Sequence, residues 1–244
     1  MNLFKCEAIV LRMMELGEAD RLVTLLTSRH GKIRVVAKGA RKVMSRFSAA
    51  TNTFVHSHFV LHKGRNLDTI TQCDVVEPFR GIREDLHRFA FAGHIADLAD
   101  SLTHDGEPAA SLFALTLAAL RAVEGDYDPE IVAAWFSLNA LSAAGYRPVL
   151  DRCASCDAAD IPPGEIRFDP AAGGVVCPRC GEGGKPVLAG TIEMMKFLQS
   201  ADQARLRVIR PDRGMLREAR VILGEYLGYH LGRVPRSTRV LERL

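Results

Sequence analysis

Two short cysteine pairs constrain this 244-residue chain more tightly than any other feature. Cys153-Ala-Ser-Cys156 and Cys177-Pro-Arg-Cys180 are both C-x2-C, with twenty residues between them. That spacing suits one tetrahedral site in which two tight knuckles face each other. No histidine lies between Asp151 and Lys185, so the ligand set reads as four thiolates: Cys153, Cys156, Cys177 and Cys180. Four protein ligands leave no open position for water or substrate, so the expected ion is a structural zinc. A pair of disulfides, or four unrelated thiols, is the competing reading. The first residues carry Lys5 and Glu7 and no sustained apolar run, which is not a signal-peptide pattern. The longest apolar stretch, near residues 109–120, is too short to span a bilayer. A reducing, cytoplasmic setting is therefore expected, and it favours zinc over disulfides. Cys6 and Cys73 lie in apolar, strand-like runs and read as small core residues, with a reactive thiol as the alternative.

With 48% hydrophobic residues the chain can bury a substantial core. The first eighty residues read as strands at 6–12, 21–27, 31–38, 53–61 and 67–77, separated by Gly17, His30-Gly31, Lys38-Gly39 and Lys63-Gly64-Arg65-Asn66. Residues 31–38 alternate, with Ile33, Val35 and Ala37 on one face and Lys32, Arg34, Val36 and Lys38 on the other. Five short strands in about eighty residues suit a small barrel, an OB-fold first and an SH3-like barrel second. Beyond Pro78 the apolar spacing becomes helical, predicting helices over 83–104, 108–123, 129–144, 191–200 and 213–231, with Gly145 as a C-cap. Within the cysteine module, 165–169 and 173–176 read as a zinc-ribbon-like hairpin whose second knuckle closes at Gly181. The expected fold is thus α+β and multidomain: an OB-fold over 1–80 and a helical domain, 81–150 and 186–244, interrupted by the zinc module at 151–185. Some thirty residues cannot bury enough apolar surface to fold alone, so metal ligation would supply the deficit.

The net charge of +3 conceals an uneven distribution. Residues 1–80 carry +6, 81–150 carry −6, 151–185 carry −2 and 186–244 carry +5. Two basic ends suggest a polyanionic partner. The densest run holds Arg29, Lys32, Arg34, Lys38, Arg41, Lys42 and Arg46 with no acidic residue between them. Seven cations on one strand and its following loop repel one another unless a polyanion such as a phosphate backbone neutralises them. Phe47 and Phe54 lie close by, either packed in the core or offering faces on which bases stack. No P-loop, H-E-x-x-H or G-x-S-x-G pattern occurs, so the expectation is a non-enzymatic protein without a small-molecule substrate. His56 and His58 share a strand face and read as solvent-facing, and Glu84, Asp85, Asp97 and Asp100 read as solvated helix faces.

These segments together resemble the RecO family of bacterial DNA repair and recombination mediators. The likeness runs through Glu7-Ala-Ile-Val-Leu-Arg12, Gly17-Glu-Ala-Asp20-Arg21-Leu-Val-Thr-Leu-Leu-Thr27, Gly31-Lys32-Ile33, Ala37-Lys38-Gly39-Ala40-Arg41-Lys42 and Ser45-Arg46. It continues in Gly145-Tyr146-Arg147-Pro148-Val149-Leu150, directly before Cys153 and Cys156. The resemblance implies an N-terminal OB-fold, a helical domain and a four-cysteine zinc module. It implies binding of single- and double-stranded DNA, annealing of complementary strands, and action with RecR and the single-stranded DNA-binding protein SSB to load RecA, with no membrane partner. Carried onto this sequence, Lys32, Arg34, Lys38, Arg41, Lys42 and Arg46 match the family's basic barrel segment and are assigned to DNA phosphates. Arg205, Arg207, Arg210, Arg213, Arg217 and Arg220 are candidates for the acidic SSB tail or for DNA. A zinc-ribbon, RNA-binding transcription or translation factor is the alternative.

Overall fold

The structure is a computed structural model that describes residues 2–232 and 235–241. The chain packs as two compact units, Met1–Glu124 and Gly125–Leu244. No helix among the described residues is long and apolar enough to cross a membrane.

The first unit is built on a closed barrel of β1 (Leu3–Leu16), β2 (Asp20–Thr27), β3 (Gly31–Ala37), β4 (His56–His62) and β5 (Asp68–Glu77). Neighbours run β1-β2-β3-β5-β4 around the barrel. All pairs are antiparallel except β3 with β5, which is parallel. That order is the OB-fold arrangement, and it decides between the two barrels expected from strand number. β1 is long enough to serve two partners: Leu3–Ile9 pairs with β4, Ala8–Leu16 with β2. A register shift between Val10 and Arg12 bends the strand where it changes partner. Alternation then fills the interior with Val10, Val23, Leu25, Val35, Leu61 and Phe59, all at most 1% exposed. Each such side chain contributes about 1.5–3 kcal/mol by leaving water.

A four-residue helix, α1 (Phe47–Ala50), plugs one end of the barrel with Phe47 and Ala50. Arg21 reaches it from β2, donating to the Ser48 carbonyl at 2.9 Å and to Thr51 Oγ1 at 3.0 Å. The fourth strand begins at His56, not at residue 53. Phe54 adopts a left-handed backbone (φ 74°) that lets its N–H donate to the Val10 carbonyl, at 2.8 Å, so residues 53–55 form a turn against β1. The first expected helix is two: α2 (Arg80–Glu84) and α3 (Leu86–Leu102). Asp85 between them is extended and its side chain accepts from the Arg88 N–H, an N-cap that starts α3. α4 (Ala110–Glu124) completes the unit.

In the second unit α5 (Pro129–Ala143) opens with an Asp128 N-cap and proline in its first turn. It ends at Gly145 (φ 84°), where Tyr146 N–H bonds the Leu141 carbonyl at 2.8 Å in a Schellman closure that favours glycine. α6 (Ala189–Ser200), α7 (Arg213–Leu231) and a short α8 (Arg236–Leu241) follow the cysteine module. Trp135 of α5 is buried and donates its indole N–H to the Ala201 carbonyl at 2.9 Å, tying α5 to the end of α6. The module is a three-stranded sheet, β7 (Gly174–Val176), β6 (Arg167–Asp169) and β8 (Lys185–Pro186) in that order. The expected hairpin is there, widened by one edge strand.

Candidate nucleic-acid interface and metal centre

Directly paired residues share a sheet face, so register maps the outside of the barrel. Met14 pairs with Leu22 and Leu22 with Val36, an apolar row across β1, β2 and β3. Beside it runs the row Arg12, Thr24 and Arg34. The alternation of 31–38 holds: Val35 and Ala37 are fully buried, while Arg34 and Lys38 are exposed.

The predicted cations divide by what holds them. Lys32 turns to α3, with its Nζ 3.2 Å from the Asp100 carboxylate and 2.7 Å from the Asp100 carbonyl, and only 14% of the side chain is exposed. Arg12 shares Asp100 at 3.2 Å and meets Asp97 at 3.5 Å. Asp97 and Asp100 are therefore half-buried partners of basic residues, not a solvated face; 68 residues of sequence separate Lys32 from Asp100. Arg41 is also engaged, bonding the Gly17 carbonyl at 3.0 Å and Glu15 at 3.1 Å. Arg46 donates to the Thr71 carbonyl at 3.1 Å and lies 4.9 Å above the Phe47 ring, yet remains exposed. Arg34 has only a 4.0 Å contact to Asp105. Lys38 and Lys42 are exposed and make no ion pair among the described residues.

The loop between β3 and α1 presents these last cations on a fixed stem. Gly39 N–H donates to Asp20 Oδ1 at 2.7 Å and Arg41 N–H to the Ala19 carbonyl at 2.9 Å, docking the loop on the β1–β2 turn. Ala40 is fully buried beneath it. Phe47 and Phe54 are not stacking faces. Phe47 is 8% exposed in the barrel plug, and Phe54, 1% exposed, packs edge-on against Phe89 at 5.3 Å.

His58 is exposed as expected, but His56 is 2% exposed. Its Nε2 lies 2.8 Å from Glu7 and its Nδ1 2.9 Å from Glu77, with the Phe113 ring of α4 edge-on beside it, centroids 6.0 Å apart. Arg121 of α4 grips Glu77 from the other side at 2.7 and 2.8 Å. That guanidinium, joined by His56, holds the Glu77 carboxyl below the usual carboxylate range against the opposing pull of burial. Glu84 is exposed, and Asp85 serves as a helix cap. Cys6 and Cys73 are half-buried against the barrel core, and burial pushes the Cys6 thiol up to about 11 and the Cys73 thiol upward as well. Both are therefore poor nucleophiles.

In the second unit the sulfurs of Cys153, Cys156, Cys177 and Cys180 all lie within 4.8 Å of one another. The Cys156 and Cys177 sulfurs are 3.8 Å apart, far beyond a disulfide bond of about 2.05 Å. Zinc–sulfur bonds of about 2.3 Å place tetrahedral sulfurs about 3.8 Å apart, so the cluster fits such an ion. Burial opposes ionisation of Cys153, but the N–H groups of Cys177, Cys156 and Ser155 aimed at its sulfur bring it down to about 6. Cys180, hydrogen-bonded to Cys156 and Cys177, is pushed up to about 12. The Cys177 thiol is lowered as well, so the sulfurs pull one another in opposite directions, and a bound cation would favour the thiolate at every one of them. Val149 anchors the start of β7, exchanging bonds with Gly173 at 3.0 Å and Val175 at 2.8 Å, and the first knuckle joins the same strand where Ala154 N–H donates to the Val175 carbonyl at 2.7 Å. A Cβ on Gly174 would stand 2.1 Å from the Val149 carbonyl oxygen, so only glycine permits this approach. At Gly181 the approach is looser: a Cβ there would stand 2.8 Å from a Val176 side-chain methyl.

The arginines at 205–220 are largely committed inside the unit. Arg213 binds Asp128 at 2.9 Å and Glu130 at 3.0 Å, and Arg220 binds Glu130 at 3.3 Å. Arg205 and Arg207 lie over the rings of Phe197 and Tyr127, and Arg210 bonds the carbonyls of Arg207 and Ile209. Arg217 stays exposed.

The chain matches two family descriptions, "Recombination protein O N terminal" over residues 1–79 and "Recombination protein O C terminal" over residues 83–239. It is 41% identical to the DNA repair protein RecO of Pelotomaculum thermopropionicum, covering 100% of this chain and 95% of that protein. It is 37% identical to the RecO of Symbiobacterium thermophilum over 100% of this chain and 98% of the relative. For the RecO of a Nocardioides species the figures are 38%, 99% and 100%. A barrel carrying an exposed basic loop, a four-cysteine cluster and likeness along the whole length place the chain in the RecO family of DNA repair proteins.

Proposed function

We propose that this protein binds single- and double-stranded DNA through the outer face of β2–β3 and the β3–α1 loop, and anneals complementary strands there. The observation that carries this reading is the exposed pair Lys38 and Lys42, without an ion-pair partner among the described residues, on a loop whose stem is fixed by Asp20 and Ala19. Arg34 and Arg46 extend the positive surface. Lys32 and Arg41 belong to the same assigned set, but their first role is to hold α3 and the β1–β2 turn, so they contribute field more than direct contact. Annealing needs no covalent step. A basic surface lowers the repulsion between two polyanions, and base pairing supplies the free energy.

The ion of the cysteine cluster is assigned as zinc. Cys153, Cys156, Cys177 and Cys180 would hold it, and its contribution is to join the two knuckles of the module. In the proposed division of labour, residues 1–80 engage DNA, 151–185 form the zinc module, and 81–150 with 186–244 form its helical surroundings. RecR and the acidic tail of SSB are the proposed partners, with RecA loading in the cytoplasm as the outcome; family membership supports this part of the reading.

The test is annealing of complementary oligonucleotides together with the salt dependence of binding. Lys38→Ala with Lys42→Ala should slow annealing. It should also lower the slope of log affinity against log salt by about 1.4 on single strands, about 0.7 per lost phosphate contact. An unaltered slope would move the DNA surface elsewhere.

A further inference from the structure

The β3–α1 loop ends in a feature that phosphate binding does not explain. Val43 is 99% exposed and Met44 94%, and no large apolar side chain among the described residues is more exposed. They stand between Arg41 and Lys42 on one side and Arg46 on the other. The stem below is fixed at both ends: by Asp20 and Ala19 at Gly39 and Arg41, and by the Arg46 guanidinium on Thr71. Ser45 N–H closes a turn onto the Lys42 carbonyl at 3.0 Å, so the two apolar residues form the tip.

We propose that Val43 and Met44 are an apolar wedge that inserts between or against the bases of bound DNA. This deepens the function proposed above and rests on its assignment of DNA to the same loop. The argument is one of complementarity. Cations on both sides of the tip draw phosphates to its flanks, and what lies behind a line of phosphates is a stack of flat apolar faces. Unbranched Met and similar side chains are the type that enter base steps and part them. A strand whose bases are parted offers them for pairing, which is the step annealing requires. A lipid surface is the other partner that an apolar tip among cations could meet. Two apolar residues give little purchase on a bilayer, whereas base contacts need no more than this.

The experiment uses the full-length protein, a single-stranded oligonucleotide containing one 2-aminopurine, and vesicles of phosphatidylcholine with and without phosphatidylserine. Two variants are compared with wild type: Val43→Ser/Met44→Ser, and Lys38→Ala/Lys42→Ala. Both alter exposed side chains, and circular dichroism verifies that they fold. Wild type is expected to raise 2-aminopurine emission on binding as the base unstacks. The apolar double variant should lose that rise and bind about five- to tenfold more weakly, with an unchanged salt slope. The lysine double variant should lower the slope. If the apolar variant keeps both emission rise and affinity while the lysine variant lowers the slope, the wedge is wrong and the DNA assignment stands. If the lysine variant leaves the slope unchanged, the DNA assignment fails and takes the wedge with it. If the apolar variant loses vesicle binding but not the emission rise, the tip serves a membrane and the inference is overturned.

Discussion

His56 shows how one side chain can tie the barrel to a helix. Its two ring nitrogens face carboxylates on β1 and β5, and the second of those carboxylates is gripped by Arg121 of α4. Glu77 is thus the shared residue. Its carboxyl titrates below the 4.5 of a free glutamate, chiefly because Arg121 hydrogen-bonds it. A depressed folded value means stabilisation that is present above the ordinary value and lost as pH falls through the depressed one. Glu77→Gln should therefore cost about 1 kcal/mol in urea unfolding at pH 7, and the gap from wild type should begin to narrow below about pH 4.5 and close as pH falls through the depressed value. A gap that persists unchanged in acid would separate Glu77 from this titration. The cations call for a second comparison at the same scale. Lys32→Ala removes a ligand from half-buried Asp100 and should cost about 1.5–3 kcal/mol of stability. Lys38→Ala removes an exposed charge and should leave stability unchanged while lowering the DNA salt slope by about 0.7. Denaturant titration and binding at several salt concentrations read both.

Among the elements, β7 depends most on a single position. Gly174 lies against Val149, and Val175 donates to the Val149 carbonyl at 2.8 Å. Gly174→Ala would drive a Cβ into that carbonyl, so the strand must shift and the bond lengthen. The expected cost is about 1–3 kcal/mol, measured as a lower unfolding midpoint in metal-replete protein. An unchanged midpoint would mean that the strand yields without loss. Such positions also mark where reading the sequence stops. The barrel strands and α4 to α7 were readable because their periodicities are local properties of the chain. The cysteine cluster was readable because two C-x2-C pairs admit few geometries. By contrast, α1 is four residues long and has no period to detect. β8 is two exposed residues including a proline, tolerable only at a sheet edge. The late start of β4 follows from Phe54 meeting Val10, and the burial of His56 from the edge-on approach of Phe113 and the carboxylates at its two nitrogens. The pairing of Lys32 with Asp100 likewise joins residues 68 apart. Each of these is a tertiary contact, and a linear pattern carries no record of it. For the candidate DNA site, the basic run was visible in the sequence. Which of its members remain free to meet phosphate was not.

At the scale of the whole molecule, the basic loop and the cysteine cluster fall in different compact units. The free cations of the β3–α1 loop lie in Met1–Glu124, and the four cysteines in Gly125–Leu244. Phe168 of β6 packs outward on Tyr226 of α7, and the apolar cluster at the cysteines themselves is small: Cys153, Val176 and Cys177, with Ala158, Ile161 and Ala172 packed around them. The zinc proposed above would supply the link that so small a cluster lacks. Cys153 is the most consequential ligand to lose. It is buried, and it receives the Cys177 N–H at 3.4 Å, so its removal breaks both coordination and a link between the knuckles. Cys153→Ser, or prolonged chelation, should therefore release bound zinc and destabilise the second unit. A loss of about 3 kcal/mol would lower the melting midpoint by roughly 6–12 °C. The cations assigned to DNA and the four cysteines belong to different compact units, so the salt slope of DNA binding should be retained at temperatures where the variant is still folded. Zinc content by atomic emission, melting by circular dichroism and binding by fluorescence anisotropy together test this separation. A folded Cys153→Ser protein that has lost DNA binding would show that the module is part of the interface, and the cluster would then have to be counted among the residues that meet DNA.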